Sequence, residues 1–323
     1  AEGHFRHESN LWFSSIGTGS YLGEPDEETD ALYEEALKEA VLSGVNVIDS
    51  AINYRSQRSE RSFGKALGEL FASGKVKREE VIVCTKGGFL PFDGDYPANP
   101  RDYLKRTYID SGILKPEEIS QGFHAMTPKY LEDQLARSLR NLGLDTIDIY
   151  YLHNPETQLT EISRTEFLQR IRKAFEWFEA KVAEGKIRLY GTATWNGYRL
   201  PPENAEHLSL EELVCIAREV GGVGNHFKAV QLPFNLAMPE AWIAPTQPFG
   251  ANRIPFLEAA QRLNFTVIAS ASLLQAQLAG PLPKFLDKHF ANLPRSSQRA
   301  IQFARSAPGI TTALVGMKQV QHV

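Results

Sequence analysis

With 323 residues, 42% hydrophobic and 23% charged, the chain is long enough to bury a large core and lies between one large α/β domain and two smaller ones. Its 35 Lys and Arg against 39 Asp and Glu give a formal net charge of -4, with no basic block and no aromatic–basic interleaving, which argues against a nucleic-acid partner. The apolar runs are broken by charges far short of the roughly 20 residues that span a bilayer, and Glu2, Arg6 and Glu8 sit where a signal peptide needs an apolar stretch, so no membrane partner and a cytoplasmic location are expected.

Strand-like and helix-like patterns then alternate along the chain. Ser14 to Gly19 is a short run ending in glycines, and Thr29 to Leu42 carries Leu32, Ala36, Leu37, Ala40 and Val41 on one helical stripe, with Gly44 as the stop. Val45 to Ile48 leads to Asp49 as a strand. Ser59 to Phe71 is a second helix, and Val81 to Thr85 the next strand. Thr127 and Pro128 supply an N-cap and a first-turn proline for a helix through Leu131, Leu135, Leu139 and Leu142, stopped by Gly143. Ile147 to Leu152 reads as a strand, Phe167 to Val182 as a helix with Ile171, Phe175 and Phe178 inward, and Ile187 to Thr192 as a strand. Ser209 to Glu212 has capping-box spacing before a helix that closes at Gly221 and Gly222. Ala229 to Gln231 is a strand, Phe256 to Leu263 a helix, Phe265 to Ala269 a strand, Ser297 to Ala304 a helix, and Ile310 to Val315 the last strand.

Eight strands separated by helical crossovers, with no linker between them, are the pattern of a single (β/α)8 TIM barrel over residues 1–323 rather than of two domains. The proline-rich stretch from Gly87 to Phe123 interrupts the rhythm and is expected to be a long loop insertion after the third strand. A helix after the eighth strand would begin near Gln319, so the natural C-terminal helix is expected to lie beyond Val323. Cys84 and Cys215, the two cysteines, suit a reducing compartment and are expected to be buried filler. His4 and His7 form a terminal pair with no further ligand in register, so no metal is expected and the pair is read as solvated.

In a barrel the active site is built at the carboxyl ends of the strands. Asp49, Lys86 and His153 each follow such a run, and Tyr54 lies five residues beyond Asp49. The segments Gly44-Val-Asn-Val-Ile-Asp-Ser-Ala-Ile-Asn-Tyr54 with Ser59-Glu60, Val83-Cys-Thr-Lys86, and Asp148-Ile-Tyr-Tyr-Leu-His153-Asn-Pro resemble, in order, the signatures of the aldo-keto reductase superfamily. The resemblance covers nearly the whole chain. It implies a barrel that uses a nicotinamide cofactor, usually the 2′-phosphorylated form, to interconvert carbonyls and alcohols.

The four residues also carry that chemistry on their own terms. Reducing a carbonyl by hydride leaves an alkoxide unless a proton arrives. Tyrosine, with a reference pKa near 10, is a poor donor alone. A lysine ammonium beside it is expected to lower that pKa, and a carboxylate keeps the lysine charged and oriented. Tyr54 as donor, Lys86 as activator and Asp49 as its partner fit those roles, with His153 hydrogen-bonding the substrate oxygen or assisting the proton relay.

The cofactor is expected to be NADP(H), with NAD(H) not excluded. In the family a Gly-x-Ser-Asn element ends the fifth strand and holds the nicotinamide amide; here the run is Gly191-Thr-Ala193-Thr194-Trp195, so Thr194 is the substitute, with Gln231 of the sixth strand able to donate and accept. Where the family commonly has an aromatic residue stacked on the nicotinamide, this chain offers Ser270. The diphosphate is expected along the loop from Ser270 to Gln277, with Ser270, Ala271, Leu273 and Gln275 as its contacts, and over the turn Gly316-Met-Lys318, with Lys318 the evident cation for a 2′-phosphate. Gly19 and Ser20 are placed near the nicotinamide ribose, and Asp49 belongs to both sets. Tyr21, Phe89, Trp195 and the stretch Tyr103 to Ile113 are candidates for the substrate pocket.

The expected function is hydride transfer to an aldehyde or ketone, or the reverse on a sugar-like alcohol, with a small-molecule substrate and an oligomeric state that the sequence leaves open. A non-catalytic NADP(H)-binding regulatory subunit on the same barrel is the alternative, kept by Ala193, Thr194 and Ser270. A third option, Schiff-base chemistry on Lys86, requires a lysine of depressed pKa without a paired carboxylate.

Overall fold

The computed structural model describes residues 3–290 and 292–323. Eight parallel strands close into a barrel in the order β3 (Ile16–Gly19), β4 (Val47–Asp49), β5 (Ile82–Gly87), β6 (Ile147–His153), β7 (Ile187–Ala193), β8 (Phe227–Pro233), β11 (Thr266–Ser270) and β12 (Thr312–Gly316), which pairs back onto β3. Among the described residues seven helices fill the crossovers: α1 (Glu27–Leu42), α2 (Arg58–Ala72), α4 (Pro128–Leu142), α5 (Arg164–Ala183), α6 (Leu210–Gly221), α8 (Phe256–Arg262) and α9 (Ser296–Ser306); the short α3 (Pro100–Leu104) and α7 (Glu240–Ile243) lie in loops. The eight strands and the TIM-barrel class are those read from the sequence. Among the described residues, no helix is long and apolar enough to cross a membrane.

The helix ends follow their side chains. Thr127 accepts from the Tyr130 N–H at the start of α4, and Gly143 closes the helix at φ 64°, a left-handed conformation that costs an L-residue with a Cβ about 1–2 kcal/mol. Asp26 caps α1 through the Thr29 N–H, Ser163 caps α5, and Ser209 caps α6. These caps add up to three residues to the starts of α1 and α5 beyond what apolar periodicity marks. The helices bury Leu131, Leu135, Ile171, Phe175, Phe178 and Leu213 against the outer faces of the strands, each burial contributing roughly 1.5–3 kcal/mol. A separate inner cluster fills the barrel with Val47, Cys84, Ile149, Tyr151, Ala229, Ile268 and Leu314. Gly191 sits where β7 and β8 shift register, and a Cβ there would fall 1.9 Å from the Ala229 carbonyl oxygen. Only glycine allows that approach.

Two hairpins were not expected. β1 (Phe5–Glu8) and β2 (Leu11–Ser14) pair antiparallel and close the amino end of the barrel, with Phe13 fully buried in the inner cluster. β9 (Gln247–Phe249) and β10 (Asn252–Ile254) form the second, before α8. Three further readings change. His4 is half-buried, its Nε2 2.9 Å from the Gly44 carbonyl oxygen, whereas His7 is exposed as expected. Cys84 is buried filler, but Cys215 is exposed, on the outward side of α6. The 87–123 insertion is not an open loop: Leu90, Tyr108 and Leu114 pack with Ala125 and Tyr130 in a small core of their own, and the Tyr108 hydroxyl donates to the Pro91 carbonyl oxygen.

Candidate active site

A cavity of about 500 Å³ opens at the carboxyl ends of the strands. Its floor is the end of β4, where Asp49 is buried with both carboxylate oxygens engaged. Lys86 Nζ, from β5, donates to Oδ2 at 2.6 Å, and Gln231 Nε2, from β8, donates to Oδ1 at 2.7 Å. Lys86 also donates to the Ser50 carbonyl oxygen at 2.7 Å and is 1% exposed. This is a buried pair with every Lys86 neighbour in place, so removing either partner would strand a charge at a cost of about 3–5 kcal/mol.

Tyr54 stands above this pair. Lys86 Nζ lies 4.9 Å from the centroid of its ring, and the His153 ring centroid is 5.9 Å away at 75°. Tyr54 is placed by an unusual turn in which Arg55, Ser56 and Gln57 all have positive φ (48°, 54° and 72°). Three consecutive left-handed residues without glycine are costly and persist only when their surroundings over-determine them. Here Arg55 is buried, donating to the Glu24 carbonyl oxygen at 2.8 Å and to Asp30 at 2.5 Å, while Gln57 donates to the Phe92 carbonyl oxygen at 2.8 Å.

The electrostatics revise one expectation. Burial pushes the Tyr54 phenol up rather than down, against the pull of the Lys86 charge. Its resting form is therefore the neutral phenol, which is the form a proton donor needs. Lys86 is pushed up by the Asp49 carboxylate and the Tyr54 oxygen, which outweigh its own burial, and stays an ammonium. Burial raises the Asp49 carboxyl, opposed by Lys86 and Gln231. His153 is pulled well below the usual imidazole range by burial, then by Lys86 and His124, so it is neutral near pH 7.

His153 is seated from behind. His124 Nε2 donates to the His153 carbonyl oxygen at 2.7 Å, and Gln158, itself receiving a hydrogen bond from Arg170, reaches His124 Nδ1 at 3.0 Å. Gly88, at φ 151°, lets this seat close, since a Cβ there would lie 2.7 Å from the His153 carbonyl oxygen. The Phe89 ring meets the His153 ring edge-on at 4.8 Å, and Tyr21 meets Tyr54 at 5.0 Å.

Tyr54, Asp49 and His153 border the cavity, as do Gly19, Ser20, Tyr21, Phe89, Thr194, Trp195, Gln231, Ser270, Ala271, Leu273, Gln275 and Gly316. Lys86 lies beneath them. Lys318 does not border the cavity, nor does Tyr103 to Ile113, whose ring at Tyr108 turns into the insertion's own core. No lysine or arginine is among the described residues of the wall. Gln231 commits one N–H to Asp49, which leaves its other N–H and its oxygen for a ligand. Thr194 Oγ1 and Ser272 Oγ are buried at the wall without a partner, as is Asn53 Oδ1. Asn53, Asn154 and Ser272 were not singled out from the sequence. The first two directly adjoin Tyr54 and His153, which is the signal that would have found them.

The aldo/keto reductase family model matches residues 15–206, more than half of the sequence. The chain belongs to that family. Among curated relatives it is similar to a putative voltage-gated potassium channel subunit beta of Schizosaccharomyces pombe, 24% identical over 206 residues that cover 64% of this chain and 48% of that one. It also resembles an NADH-specific methylglyoxal reductase of Escherichia coli, 29% identical over 159 residues, 49% of this chain and 40% of that one. The matched segments thus span half or less of these relatives' own length. An aldo/keto reductase of Klebsiella pneumoniae solved with NADP and acetate shares the fold at TM-score 0.64 and 19% identity, over all of this chain and 87% of that one.

Proposed function

We propose that the chain is a nicotinamide-dependent oxidoreductase that interconverts an aldehyde or ketone and an alcohol, with Tyr54 as the proton donor. The observation that carries this reading is the convergence of a neutral phenol, a buried ammonium and a neutral imidazole on one cavity. A substrate oxygen between Tyr54 and His153 would receive hydrogen bonds from both. As negative charge develops on that oxygen, Tyr54 releases its proton to it, and the Lys86 ammonium stabilises the phenolate left behind. Asp49 holds Lys86 in place throughout.

The wall suits a nicotinamide. Thr194 Oγ1 and Ser272 Oγ are buried polar groups without a partner beside Gln231, whose Nε2 donates to Asp49, and a carboxamide offers both donors and an acceptor to such groups. When bound, the nicotinamide supplies the hydride. Gly19, Ser20, Ser270, Ala271, Leu273, Gln275 and Gly316 form the remaining wall for the sugar and diphosphate. The absence of a cation from the described wall, with Lys318 outside it, leaves NADP(H) and NAD(H) both open; the Klebsiella structure holds the first and the E. coli relative is named for the second.

A second reading is that the barrel binds NADP(H) and regulates a partner without turnover; the name of the fission-yeast relative, a channel subunit, bears only on the partner. Schiff-base chemistry is disfavoured by a Lys86 that is paired and held protonated. The test is titration of NADPH and of NADH by fluorescence, followed by oxidation of the bound form against a panel of aldehydes and ketones. Binding with turnover supports the reductase, binding without turnover on any carbonyl supports the regulatory subunit, and no binding of either nucleotide contradicts both.

A further inference from the structure

Glu156 takes no part in the proton chemistry, yet it is 1% exposed and lies three residues beyond His153. It follows Pro155 in the short 3-10 turn Pro155–Thr160, entered through Asn154 at φ 43°. Its Oε1 accepts from three successive backbone N–H groups, those of Trp195 at 2.7 Å, Asn196 at 3.0 Å and Gly197 at 3.3 Å. Its Oε2 is buried with no partner. Three converging amides on one carboxylate oxygen form an anion-binding concavity of the kind that successive backbone N–H groups make for phosphates, here filled by a side chain of the same protein.

The segment held in this way is the one that leaves β7 over the cavity. Thr194 continues the strand ladder, its N–H donating to the Gln231 carbonyl oxygen at 2.8 Å, while its hydroxyl is buried without a partner at the edge of the cavity. Trp195 is 43% exposed and forms one wall. Its carbonyl oxygen accepts from Arg199, which reaches Glu240. From Trp195 onward, the loop's N–H groups have no strand to pair with and Glu156 replaces one. Burial pushes the Glu156 carboxyl up to about 7, and the three amides hold it from rising further.

We propose that Glu156 is a positioning residue of this site: its carboxylate gathers the amides of residues 195–197 and so fixes where the Trp195 wall and the Thr194 hydroxyl meet substrate and cofactor. It acts through the loop and touches neither. The kinetic side of this inference rests on the reductase reading, whereas its structural side stands on the geometry alone.

The test compares wild type, Glu156→Gln and Glu156→Ala at pH 8, by amide hydrogen exchange, by NADPH titration, and by steady-state reduction of 4-nitrobenzaldehyde with NADPH. Charge-assisted bonds are about twice as strong as neutral ones, so Glu156→Ala is expected to raise exchange at residues 195–197 roughly tenfold or more, and Glu156→Gln, which keeps the acceptor, roughly threefold. Exchange in β6 and β8 stays at the wild-type level. NADPH Kd or aldehyde KM rises about tenfold in the alanine variant with kcat within about threefold, because Tyr54, Lys86 and His153 are held by other elements. The glutamine variant recovers most of that loss. Unchanged exchange at 195–197, a rise spread over the whole barrel, or a fall in kcat with KM unchanged would overturn the proposal. Should Glu156→Ala fail to fold, the glutamine variant against wild type decides on the same readouts. Should wild type neither bind nor oxidise NADPH, the reductase reading fails and the exchange pattern still decides the role of Glu156.

Discussion

The two sides of the cavity are built on different principles. On the side of β4, β5 and β6, each functional group is locked from beneath: Lys86 between Asp49 and the Ser50 carbonyl oxygen, His153 by the His124–Gln158 relay, Tyr54 by the buried Arg55 anchor. On the side of β11 and β12, the wall is loop backbone, in which Ala271, Leu274, Gln275 and Ala276 all have positive φ and no side-chain charge is present. The comparison teaches that the groups proposed for proton transfer are pre-organised on strand ends and on the Tyr54 turn, while the wall proposed for the cofactor consists of hydroxyls, amides and a strained loop. Substitutions on the first side should therefore change rate and stability by large amounts. Those on the second should change binding by modest ones.

The largest stability effect is expected from Lys86→Met. It leaves the Asp49 carboxylate buried without its counter-ion, which predicts a loss of about 3–5 kcal/mol in urea unfolding together with a collapse of turnover. A variant within about 1 kcal/mol of wild type would show that the pair is not buried as described.

Next in size is pH, which probes two supports separately: His124 behind His153, and Glu156 beneath the Trp195 loop. His124 is pulled down to about 4 by burial, so the neutral ring's contribution is fully present above its unfolded value near 6.5 and is lost as pH falls through about 4. Glu156 is pushed up to about 7, so the contribution of its neutral form is present below about 4.5 and is lost as pH rises through about 7. Each shift corresponds to about 3 kcal/mol at full titration. Relative to wild type, Glu156→Gln should gain stability on going from pH 4.5 to pH 8. An unchanged difference between the two across that range would remove the buried titration at Glu156.

How much of this asymmetry could be read from sequence follows the same division. Asp49, Lys86 and His153 were legible because each terminates an apolar run, and Tyr54 because it lies one short turn further on. Thr127 and Gly143 marked α4 because capping is a local event. The direction of the Tyr54 shift was not legible, because desolvation depends on what closes over the ring and not on the neighbouring lysine alone. Glu156 escaped notice because a carboxylate bonded to amides some 40 residues away leaves no periodic trace. The β1–β2 hairpin carries mixed residues with one deeply buried ring, Phe13, too little alternation to read as strands. Tyr103 to Ile113 was assigned to the substrate because loops line barrel mouths, but Tyr108 and Leu114 bury one another instead.

On the cofactor side, Thr194→Val removes one hydroxyl without changing the shape of the wall. A single hydrogen bond of about 0.5–1.5 kcal/mol predicts that NADPH Kd rises roughly two- to tenfold while kcat holds. A wild-type Kd would take Thr194 out of the site. The smallest effect is expected at Ala271, where φ is 53°: Ala271→Gly relieves a left-handed alanine, and the offsetting loss of chain entropy leaves a net stabilisation of up to about 1 kcal/mol. A loss of stability in that variant would mean that the loop is not strained as described.

The central claim is that a neutral Tyr54 phenol, backed by the Lys86–Asp49 pair, delivers the proton. Its most direct test is Tyr54→Phe, measured for NADPH affinity and for carbonyl reduction in the same preparation. The account predicts an unchanged Kd and a turnover lower by about 10²- to 10⁴-fold, the span of general acid catalysis. Turnover equal to wild type, with the nucleotide bound as tightly, would contradict it.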